Sequence, residues 1–303
     1  VVLLRIDGME RDQRILLQDN DLTDVLGMDL DANNIEQVAT ATQDGSSFSI
    51  NLIRSLAGQD AGRVNPVPST AIEDADDETE GLMLMGDLND DGFDDFVVST
   101  PEADLVSMTD NGRVAVYYGS SSGLSELPDM IYAGASDGAQ FGFGMDLGDF
   151  NNDGVLDLAV GSPGWAPADD PTTRHGMVHV YLGNASGVSA SPWSNLTGVA
   201  NESLGSAVAA LHHANSGDGL AATARNHTVQ VSPTQVDDGK VNLYTGNESG
   251  LHPMRNLTQT ENGGLFGRSL EACDVNNDGF DELIVGNTGT YDCLLYTSDA
   301  ADD

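Results

Sequence analysis

An acidic loop that recurs at a regular spacing is the feature that most limits how this chain can fold. The loop reads DLNDDGFDD, DFNNDGVLD and DVNNDGFDE, beginning at Asp87, Asp149 and Asp274, and a short apolar segment follows each copy. The first two copies begin 62 residues apart, and the last two begin 125 residues apart, which is close to twice that spacing. A repeat of about 60 residues indicates stacked or radially arranged structural units.

Two altered copies fill other places in this series. Leu204 to Asn226 keeps the flanking apolar segments but has lost the series of acidic residues, and Val25 to Thr42 keeps Asp31 at the place of the first Asp. Because neither copy retains the full set of oxygen-bearing side chains, we expect no metal near Asp31 or His212.

A second marker repeats in register with the acidic loop. It reads VYYGSSSGLS, VYLGNASGVS and LYTGNESGLH, and its tyrosines Tyr117, Tyr181 and Tyr244 lie 64 and 63 residues apart. Each copy is a short apolar strand followed by a Gly/Ser/Asn turn. We count four strands in each repeat, and no segment shows a sustained helical period. The predicted fold class is therefore all-β, with the four-stranded blades of a β-propeller.

Each acidic loop offers oxygen atoms as ligands. Side chains at positions 1, 3, 5 and 9 and the carbonyl at position 7 can converge on one point, and Gly at position 6 permits the sharp turn. The predicted ligands are Asp87, Asn89, Asp91, Phe93 and Asp95; Asp149, Asn151, Asp153, Val155 and Asp157; and Asp274, Asn276, Asp278, Phe280 and Glu282. An all-oxygen set suits Ca²⁺ rather than Zn²⁺. We therefore predict about three calcium sites, each of which relieves the repulsion among clustered carboxylates.

An EF-hand or dockerin-type loop is the main alternative, since it also begins D-x-[DN]-x-[DN]-G. That loop requires a bidentate Glu at position 12 and flanking helices. Position 12 is Val98, Val160 and Val285 in the three copies, and each copy continues as a predicted strand. The EF-hand interpretation therefore fails in all three copies.

The order of motifs around the second loop resembles the FG-GAP repeat. Phe141-Gly142 precedes this loop and Gly161-Ser162-Pro163 follows it, while Phe266-Gly267 stands in the corresponding place before the third loop. The resemblance covers about residues 1–292 and implies the seven-bladed propeller of integrin alpha chains and of many microbial surface proteins. The third loop departs from the pattern because Glu282 stands where Asp is expected, and its longer side chain is expected to weaken or reshape that site.

The repeat divides the chain into blades. We assign residues 1–24 to the end of a preceding blade, 25–80 to a degenerate blade, 81–139 and 140–202 to blades with calcium loops, 203–263 to another degenerate blade, and 264–292 to the first half of a blade with a calcium loop. Residues 293–303, CLLYTSDAADD, break the pattern and resemble a translated sequencing adapter, so we expect them to be an artefact of assembly. About four complete blades cannot close a seven-bladed ring, and we therefore expect the chain to be a fragment of a longer protein.

The charge balance excludes several kinds of partner. The formal net charge is −38, from 49 acidic and 11 basic residues. Nucleic acids and anionic membrane surfaces bind basic faces, so neither is an expected partner. The chain also lacks a run of about 20 apolar residues, so we expect no membrane insertion. A saline habitat and an ordinary acidic secreted protein account for this composition equally well.

Six N-x-S/T sequons favour an exported and glycosylated protein. They lie at Asn184, Asn195, Asn201, Asn226, Asn247 and Asn256. Chance is the alternative explanation, because the chain is rich in Asn, Ser and Thr.

The connections after the second strand of each blade are expected on the face opposite the acidic loops. One of them, Trp165 to His175, is long and carries Trp165, Arg174 and His175 as candidate ligand contacts. Binding residues often lie on such loops. Packing of Trp165 against its own blade is the alternative.

These observations predict a calcium-stabilised, extracellular or cell-surface module that binds a protein or glycan ligand in adhesion and is not an enzyme. Gly119 to Gly123 matches the nucleophile motif G-x-S-x-G, but the same turn recurs elsewhere without the central Ser, which indicates a hairpin. The alternative is a calcium-dependent carbohydrate-active propeller, such as a polysaccharide lyase, which requires acid–base residues and aromatic subsites. Two tryptophans and few basic residues favour binding over catalysis.

Overall fold

The computed structural model describes a long central part of the chain and the backbone of several strands outside it. The central part is residues 82–287 apart from 106–107, 122, 126, 214–216, 227, 232–233, 238 and 259–265, with backbone alone for 228–231 and 234–237. Outside it, backbone is described for strands within residues 2–64 and for residues 292–296. The altered loop copy at Asp31 lies outside the described residues.

The strands form successive antiparallel sheets, which we call blades A to E. Hairpin β1 (Val2–Leu4) and β2 (Ile15–Leu17) precedes blade A, which comprises β3 (Leu22–Met28), β4 (Gln37–Asp44), β5 (Ser47–Ile53) and β6 (Arg63–Val64). Blade B comprises β7 (Met83–Gly86), β8 (Asp95–Thr100), β9 (Arg113–Tyr117) and β10 (Met130–Ala133), and blade C comprises β11 (Met145–Gly148), β12 (Asp157–Ser162), β13 (Met177–Tyr181) and β14 (Ser194–Thr197).

Blades D and E continue the series. Blade D comprises β15 (Leu204–Leu211), β16 (Gly219–Ala224), β19 (Lys240–Asn247) and β20 (Gly250–Thr258), with the hairpin β17 (Thr228–Val231) and β18 (Thr234–Asp237) inserted after its second strand. Blade E comprises β21 (Phe266–Cys273), β22 (Glu282–Asn287) and β23 (Asp292–Tyr296). No helix occurs among the described residues.

The blades are arranged side by side through their first strands. β7 lies next to β11, β11 next to β15, and β15 next to β21. Four-stranded antiparallel meanders whose first strands adjoin one another are the architecture of a β-propeller. The predicted all-β propeller fold is confirmed, whereas the number of seven blades stays a prediction.

The core lies between neighbouring blades and is filled from both sides of each second strand. β8, β12 and β16 are buried along their whole length. Because side chains alternate along a strand, Leu158 and Val160 pack toward blade B, while Ala159 packs toward blade D. This explains why the segment after each acidic loop is apolar on both faces.

The residue before each FG-type glycine fills the space between two blades. Phe141, Leu204 and Phe266 belong to the apolar clusters between blades B and C, C and D, and D and E, respectively. Each packs its backbone against a glycine of the preceding blade that has a positive φ. At Gly176, with φ 73°, an added Cβ would lie 2.0 Å from the Leu204 nitrogen, and the same contact joins Gly112 to Phe141 and Gly239 to Phe266.

The meander places two kinds of loop at opposite ends of the blades. We call the end that carries residues 87–95, 149–157 and 274–282 the acidic-loop face, because these segments join or flank first and second strands. The connections from second to third strands, such as residues 163–176, lie at the other end, which we call the opposite face. Connections between blades also lie there, as the hydrogen bond from Leu204 N–H to the His175 carbonyl shows at 3.1 Å.

The last described strand differs from the boundary expected from sequence. Asp292–Tyr296 pairs with β22, and Cys293 lies opposite Gly286. Blade E therefore continues past residue 292, because the second strand offers an open edge with which the backbone of residues 292–296 can pair. The adapter origin of residues 293–303 stays a prediction, as do the blade boundaries.

Candidate functional site

The three acidic loops adopt one backbone conformation. Positions 4 and 6 both have positive φ in every copy: Asp90, Asn152 and Asn277 at 55°, 62° and 61°, and Gly92, Gly154 and Gly279 at 86°, 89° and 89°. Sequence analysis identified the Gly at position 6 and missed position 4. The signal was present, because Asp and Asn tolerate the left-handed region better than other residues with side chains.

The carboxylate at position 1 organises each loop by accepting backbone N–H groups. In the second loop, Asp149 Oδ1 accepts from Asp153 at 3.0 Å and Asp149 Oδ2 accepts from Gly154 at 2.8 Å. Asn151 Oδ1 also accepts from the Asp153 N–H at 2.9 Å, and Asp153 Oδ1 accepts from Val155 at 3.0 Å. The other loops repeat these bonds: Asp87 accepts the N–H groups of Asp91 and Gly92, and Asp274 accepts those of Asp278 and Gly279.

The acid at position 9 is buried beneath each loop. Asp95, Asp157 and Glu282 have no exposed surface, and each accepts the N–H of position 2 at 2.9 to 3.0 Å. The second oxygen of Asp95 accepts from Gly119, and that of Asp157 accepts from Gly183, in the turn between the third and fourth strands. Asp95 and Asp157 therefore tie two loops of one blade together.

Glu282 differs from the two aspartates in its second contact. Its Oε1 accepts from the Asn276 side-chain amide at 3.1 Å, instead of from a backbone N–H of a neighbouring turn. The longer side chain thus reaches the position-3 residue of its own loop. The hydrogen bonds of the third loop thus differ from those of the other two, and a weaker or reshaped calcium site at Glu282 stays a prediction.

Burial changes the pKa of the position-9 acids in the first two loops. Burial raises the pKa of Asp95 to about 7, against hydrogen bonds from Gly119 and Leu88 that lower it, and nearby Asp91 and Asp87 raise it further. Burial likewise raises the pKa of Asp157 to about 7, with Asp153 and Asp149 adding to the effect. At the exposed Asp274, by contrast, the N–H groups of Gly279 and Asp278 hold the pKa below its ordinary value.

The donor set of each loop fits Ca²⁺ in its chemistry. Every predicted ligand atom is a carboxylate, amide or carbonyl oxygen, and two position-9 acids are buried where an anion is disfavoured. The carboxylates are held by backbone amides rather than by one another, and within the described residues no three His, Cys, Asp or Glu side chains form a metal-binding group. The fifteen predicted ligands therefore stay a prediction.

The altered loop of blade D keeps the buried acid but not the acidic series. It is one residue shorter, since Leu211 pairs with Gly219 where Gly148 pairs with Asp157. Asp218 accepts the His213 N–H at 3.1 Å, which is the role of the position-9 acid, and also contacts His212 Nδ1 at 3.0 Å. The absence of metal near His212 stays a prediction. The role of Asp218 was not predicted from sequence.

The opposite face carries the candidate ligand contacts of residues 163–176. Trp165 and His175 are partly buried and meet edge to face, with ring centroids 6.3 Å apart. The Trp165 carbonyl accepts the N–H of His175 and of Gly176, both at 3.0 Å, so that the connection closes on itself. Arg174 is exposed next to this pair. Trp165 thus packs partly within its own connection, and its role as a ligand contact stays a prediction, as does that of Arg174 and His175.

Two further arginines lie on the opposite face and were missed from sequence. Arg225 follows β16, and its Cζ lies 5.3 Å from the ring centre of Phe143, which precedes β11. Arg268 is exposed near the start of β21. Burial lowers the pKa of Arg225, and the nearby charges of Arg268 and Arg174 lower it further. Three repeats supply these residues, and no local motif links them.

Comparison with known families agrees with this geometry. Residues 87–160 match the profile of the FG-GAP-like repeat, and residues 141–181 and 266–299 match that of the FG-GAP repeat. The matches cover all three acidic loops and the strand that follows each of them.

Curated relatives share these segments. Integrin alpha-V of Gallus gallus is 30% identical over 226 residues, which are 71% of this chain and 20% of that protein. Phosphatidylinositol-glycan-specific phospholipase D of Mus musculus is 38% identical over 117 residues, which are 37% of this chain and 14% of that protein. The chain thus spans a fifth or less of the length of these relatives. The solved structure of a rhamnogalacturonan lyase of Bacillus licheniformis aligns with 82% of this chain and 50% of its own chain, at 10% identity and a TM-score of 0.44.

Proposed function

Since this chain carries the FG-GAP repeats of a β-propeller, we propose that it is a calcium-stabilised, extracellular module that binds a ligand in adhesion and performs no catalysis. The acidic-loop face would hold calcium, and the opposite face would hold the ligand. The match to integrin alpha-V over 71% of this chain supports the adhesion part of the proposal. The relatives named as phospholipase D match 32–37% of this chain and 12–14% of their own length, so their activity is not carried over.

The observation that carries the calcium proposal is the buried acid at position 9. Asp95 and Asp157 have no exposed surface, and their pKa values rise to about 7 because burial and neighbouring carboxylates disfavour the anion. A divalent cation bound by the loop oxygens would place positive charge next to these acids and so favour their anionic form. The residues that would hold it are those predicted at positions 1, 3, 5, 7 and 9.

The role of the cation is structural. Each loop joins the first strand of a blade to the second, so fixing the loop fixes the pairing of Gly86 with Asp95, of Gly148 with Asp157, and of Cys273 with Glu282. Extracellular calcium modules bind with Kd of about 10⁻⁴ to 10⁻³ M. At a hundredfold excess of Ca²⁺ over Kd, each site adds about 2.7 kcal/mol to the free energy of unfolding.

Exposed sequons support an extracellular location. All six acceptor asparagines are exposed: Asn184, Asn195, Asn201, Asn226, Asn247 and Asn256. Asn184 and Asn247 occupy equivalent places three residues after Tyr181 and Tyr244, and Asn195 and Asn256 occupy equivalent places on the outer strands β14 and β20. An acceptor side chain must reach a glycosyltransferase, and these positions allow it.

Removal of calcium tests the proposal directly. We expect EDTA to lower the melting temperature of the chain by several degrees, and added Ca²⁺ to restore it, because each occupied site stabilises the folded state alone. Differential scanning calorimetry measures the shift, with Mg²⁺ as the control ion that prefers a smaller octahedral site. A melting temperature unaffected by both EDTA and Ca²⁺ would contradict the calcium assignment.

A further inference from the structure

Basic residues are scarce in this chain, and half of those in residues 82–287 collect at one place. The chain has 11 basic residues against 49 acidic ones. Residues 82–287 contain Arg113, Arg174, Arg225, Lys240, Arg255 and Arg268. All three of Arg174, Arg225 and Arg268 stand at the opposite face, in the 163–176 connection, directly after β16 and near the start of β21, respectively. Burial, and then the charges of Arg268 and Arg174, lower the pKa of Arg225. Like charges repel, so this grouping costs stability unless an anion compensates it.

Each of three successive blades contributes one of these arginines. Arg174 comes from the second-to-third connection of blade C, Arg225 from the residue after β16 in blade D, and Arg268 from the third residue of β21 in blade E. The segments that carry Arg225 and Arg268 are joined by a buried bond, in which the Thr223 hydroxyl donates to the Gly267 carbonyl at 2.7 Å. The three arginines therefore stand at the same end of three successive blades and form what we call the arginine row.

The row is bordered by aromatic rings. The Arg225 guanidinium lies over the Phe143 ring, and Arg174 is next in sequence to His175, which packs against Trp165. Phe143 and Trp165 are each partly exposed, so part of each ring faces solvent. Arginine held over an aromatic ring keeps its planar donor fork fixed and available to a ligand.

The three guanidinium groups lack ion-pair partners in the described part of the chain. The described ion pairs join Lys240 to Glu202 and His212 to Asp218. Even Asp170, four residues before Arg174, has its carboxylate bound by the Thr172 hydroxyl at 3.0 Å. In a chain with 49 acidic residues, arginines without a carboxylate partner among the described residues offer their donors to an external anion.

We propose that Arg174, Arg225 and Arg268, together with Phe143 and Trp165, bind an acidic glycan through its carboxylate or sulfate groups, which rests on the proposed ligand-binding function of the opposite face. The arginine fork matches the geometry of such oxyanions and binds them through two parallel hydrogen bonds. A row across three blades suits an extended polymer that carries an anion on successive sugars. The partly exposed rings offer apolar surface to the faces of the sugar rings.

Binding of acidic oligosaccharides to variants of the full 303-residue chain tests the proposal. Isothermal titration with oligogalacturonate supplies carboxylates, and titration with heparin-derived oligosaccharide supplies sulfates. Neutral galactan is the uncharged control, and poly-glutamate is the peptide control. We expect one or both acidic glycans to bind in the presence of Ca²⁺, more weakly at high salt, and the one that binds identifies the anion.

The matched variants remove one positive charge each. We expect Arg174→Ala and Arg268→Ala to weaken glycan binding roughly tenfold or more, because each removes charge-assisted hydrogen bonds to the oxyanion. Arg255→Ala removes the same charge from the exposed outer strand β20 and is expected to change binding less than twofold. Arg174→Lys keeps the charge but not the fork, and is expected to bind nearly as weakly as Arg174→Ala.

Several outcomes would overturn the proposal. They are the absence of binding by either acidic glycan, equal losses in Arg255→Ala and Arg174→Ala, and equal binding of poly-glutamate. Glycan binding unaffected by any arginine variant would indicate bridging through calcium on the acidic-loop face instead. The melting temperature with and without Ca²⁺, measured on the same samples, separates this test from that of calcium: a chain stabilised by Ca²⁺ that binds no acidic glycan refutes the glycan site alone.

Discussion

The last residue of each acidic loop is a buried acid that accepts a backbone N–H of its own loop. Asp157 accepts N–H groups from Phe150 in its own loop and from Gly183 in the next turn. Burial raises its pKa to about 7, so near neutral pH its charge depends on what lies beside it. The residue is therefore both a structural tie and the point at which a bound cation has most to contribute.

Substitution of this acid should reduce the response to calcium. We expect Asp157→Asn to lower the calcium-induced rise in melting temperature by roughly a third, because one of about three sites loses a carboxylate ligand. Calorimetry in EDTA and in Ca²⁺ measures the difference. Asp169→Asn, at an exposed position outside the loops, removes the same charge and should leave the rise unchanged. Equal effects of the two substitutions would contradict the role assigned to Asp157.

Asp146 sets a pH dependence that is separate from the loops. Its Oδ2 accepts the Ala210 N–H of the next blade at 2.7 Å, and burial raises its pKa above the ordinary value of 3.8, with Glu271 and Asp218 adding to the rise. A raised pKa means that the folded state binds the proton more tightly than the unfolded state. The stability that Asp146 contributes is therefore complete below about pH 4 and is lost as the pH rises through its folded pKa.

This dependence can be isolated with one variant. Asp146→Asn keeps the acceptor for Ala210 and mimics the protonated acid, so we expect its stability relative to the parent chain to increase as the pH rises from 4.5 to 8. Urea unfolding in EDTA at several pH values measures this difference in stability. Because both chains contain Asp95 and Asp157, the pH dependence due to those residues cancels in the difference. Relative to Asp146→Asn, Asp146→Ala leaves the Ala210 N–H unpaired and should cost about 1–3 kcal/mol at every pH. Parallel pH curves for the parent and Asp146→Asn would rule the interpretation out.

At the scale of the secondary-structure elements, blades are joined where a glycine meets the first strand of the next blade. Gly176, Gly112 and Gly239 have φ between 73° and 79° and lie against the backbone of Leu204, Phe141 and Phe266, respectively. The apolar side chains of those three residues fill the core between blades. A Cβ at any of these glycines meets backbone, which cannot move aside as a flexible side chain can.

Gly176→Ala tests this junction. We expect it to lower the free energy of unfolding by about 3 kcal/mol or more, because alanine adds left-handed strain of about 1–2 kcal/mol and a clash with the Leu204 backbone. Gly154→Ala is the matched control, since Gly154 has φ 89° but nothing within 4 Å of an added Cβ. It should cost only the strain when both are measured by urea unfolding in EDTA. Similar losses in the two variants would show that the interblade contact is unimportant.

At the scale of the whole molecule, each blade contacts its neighbours, so the free energy of unfolding should be shared among the blades and the interfaces between them. In repeat architectures of this kind, stability is approximately a sum of terms for each repeat and each interface. Blades B, C and E carry acidic loops, whereas blade D has the shorter loop held by Asp218. Calcium removal should therefore weaken the blades unequally.

Hydrogen exchange can locate the effect of calcium within the chain. We expect EDTA to accelerate exchange in β8 and β12 more than in β16, although all three second strands are equally buried. The reason is that calcium fixes the loops before β8 and β12, while the loop before β16 lacks the acidic series. Mass spectrometry of peptides from the three strands measures the rates, with β16 as the internal control. Equal acceleration in all three strands would place the calcium elsewhere.

Much of the fold and part of the site could be predicted from sequence because the signals are local. The repeat period, the apolar segments after each loop and the Tyr marker led to an all-β propeller, and the Gly at position 6 located the turn. The convergence of the loop oxygens on one cation stays a prediction. The backbone N–H groups of Asp153 and Gly154 that Asp149 accepts could not be predicted, because they depend on the three-dimensional course of the loop.

The sequence by itself determined the repeat, the strand order within each blade and the composition of the acidic loops, since these depend on residues close together in the chain. Only the tertiary structure decided which residues of different repeats meet: Asp146 with Ala210, Gly176 with Leu204, and the arginines at 174, 225 and 268. The physical reason is that packing the blades side by side joins positions about 30 to 60 residues apart, at contacts that no local periodicity encodes.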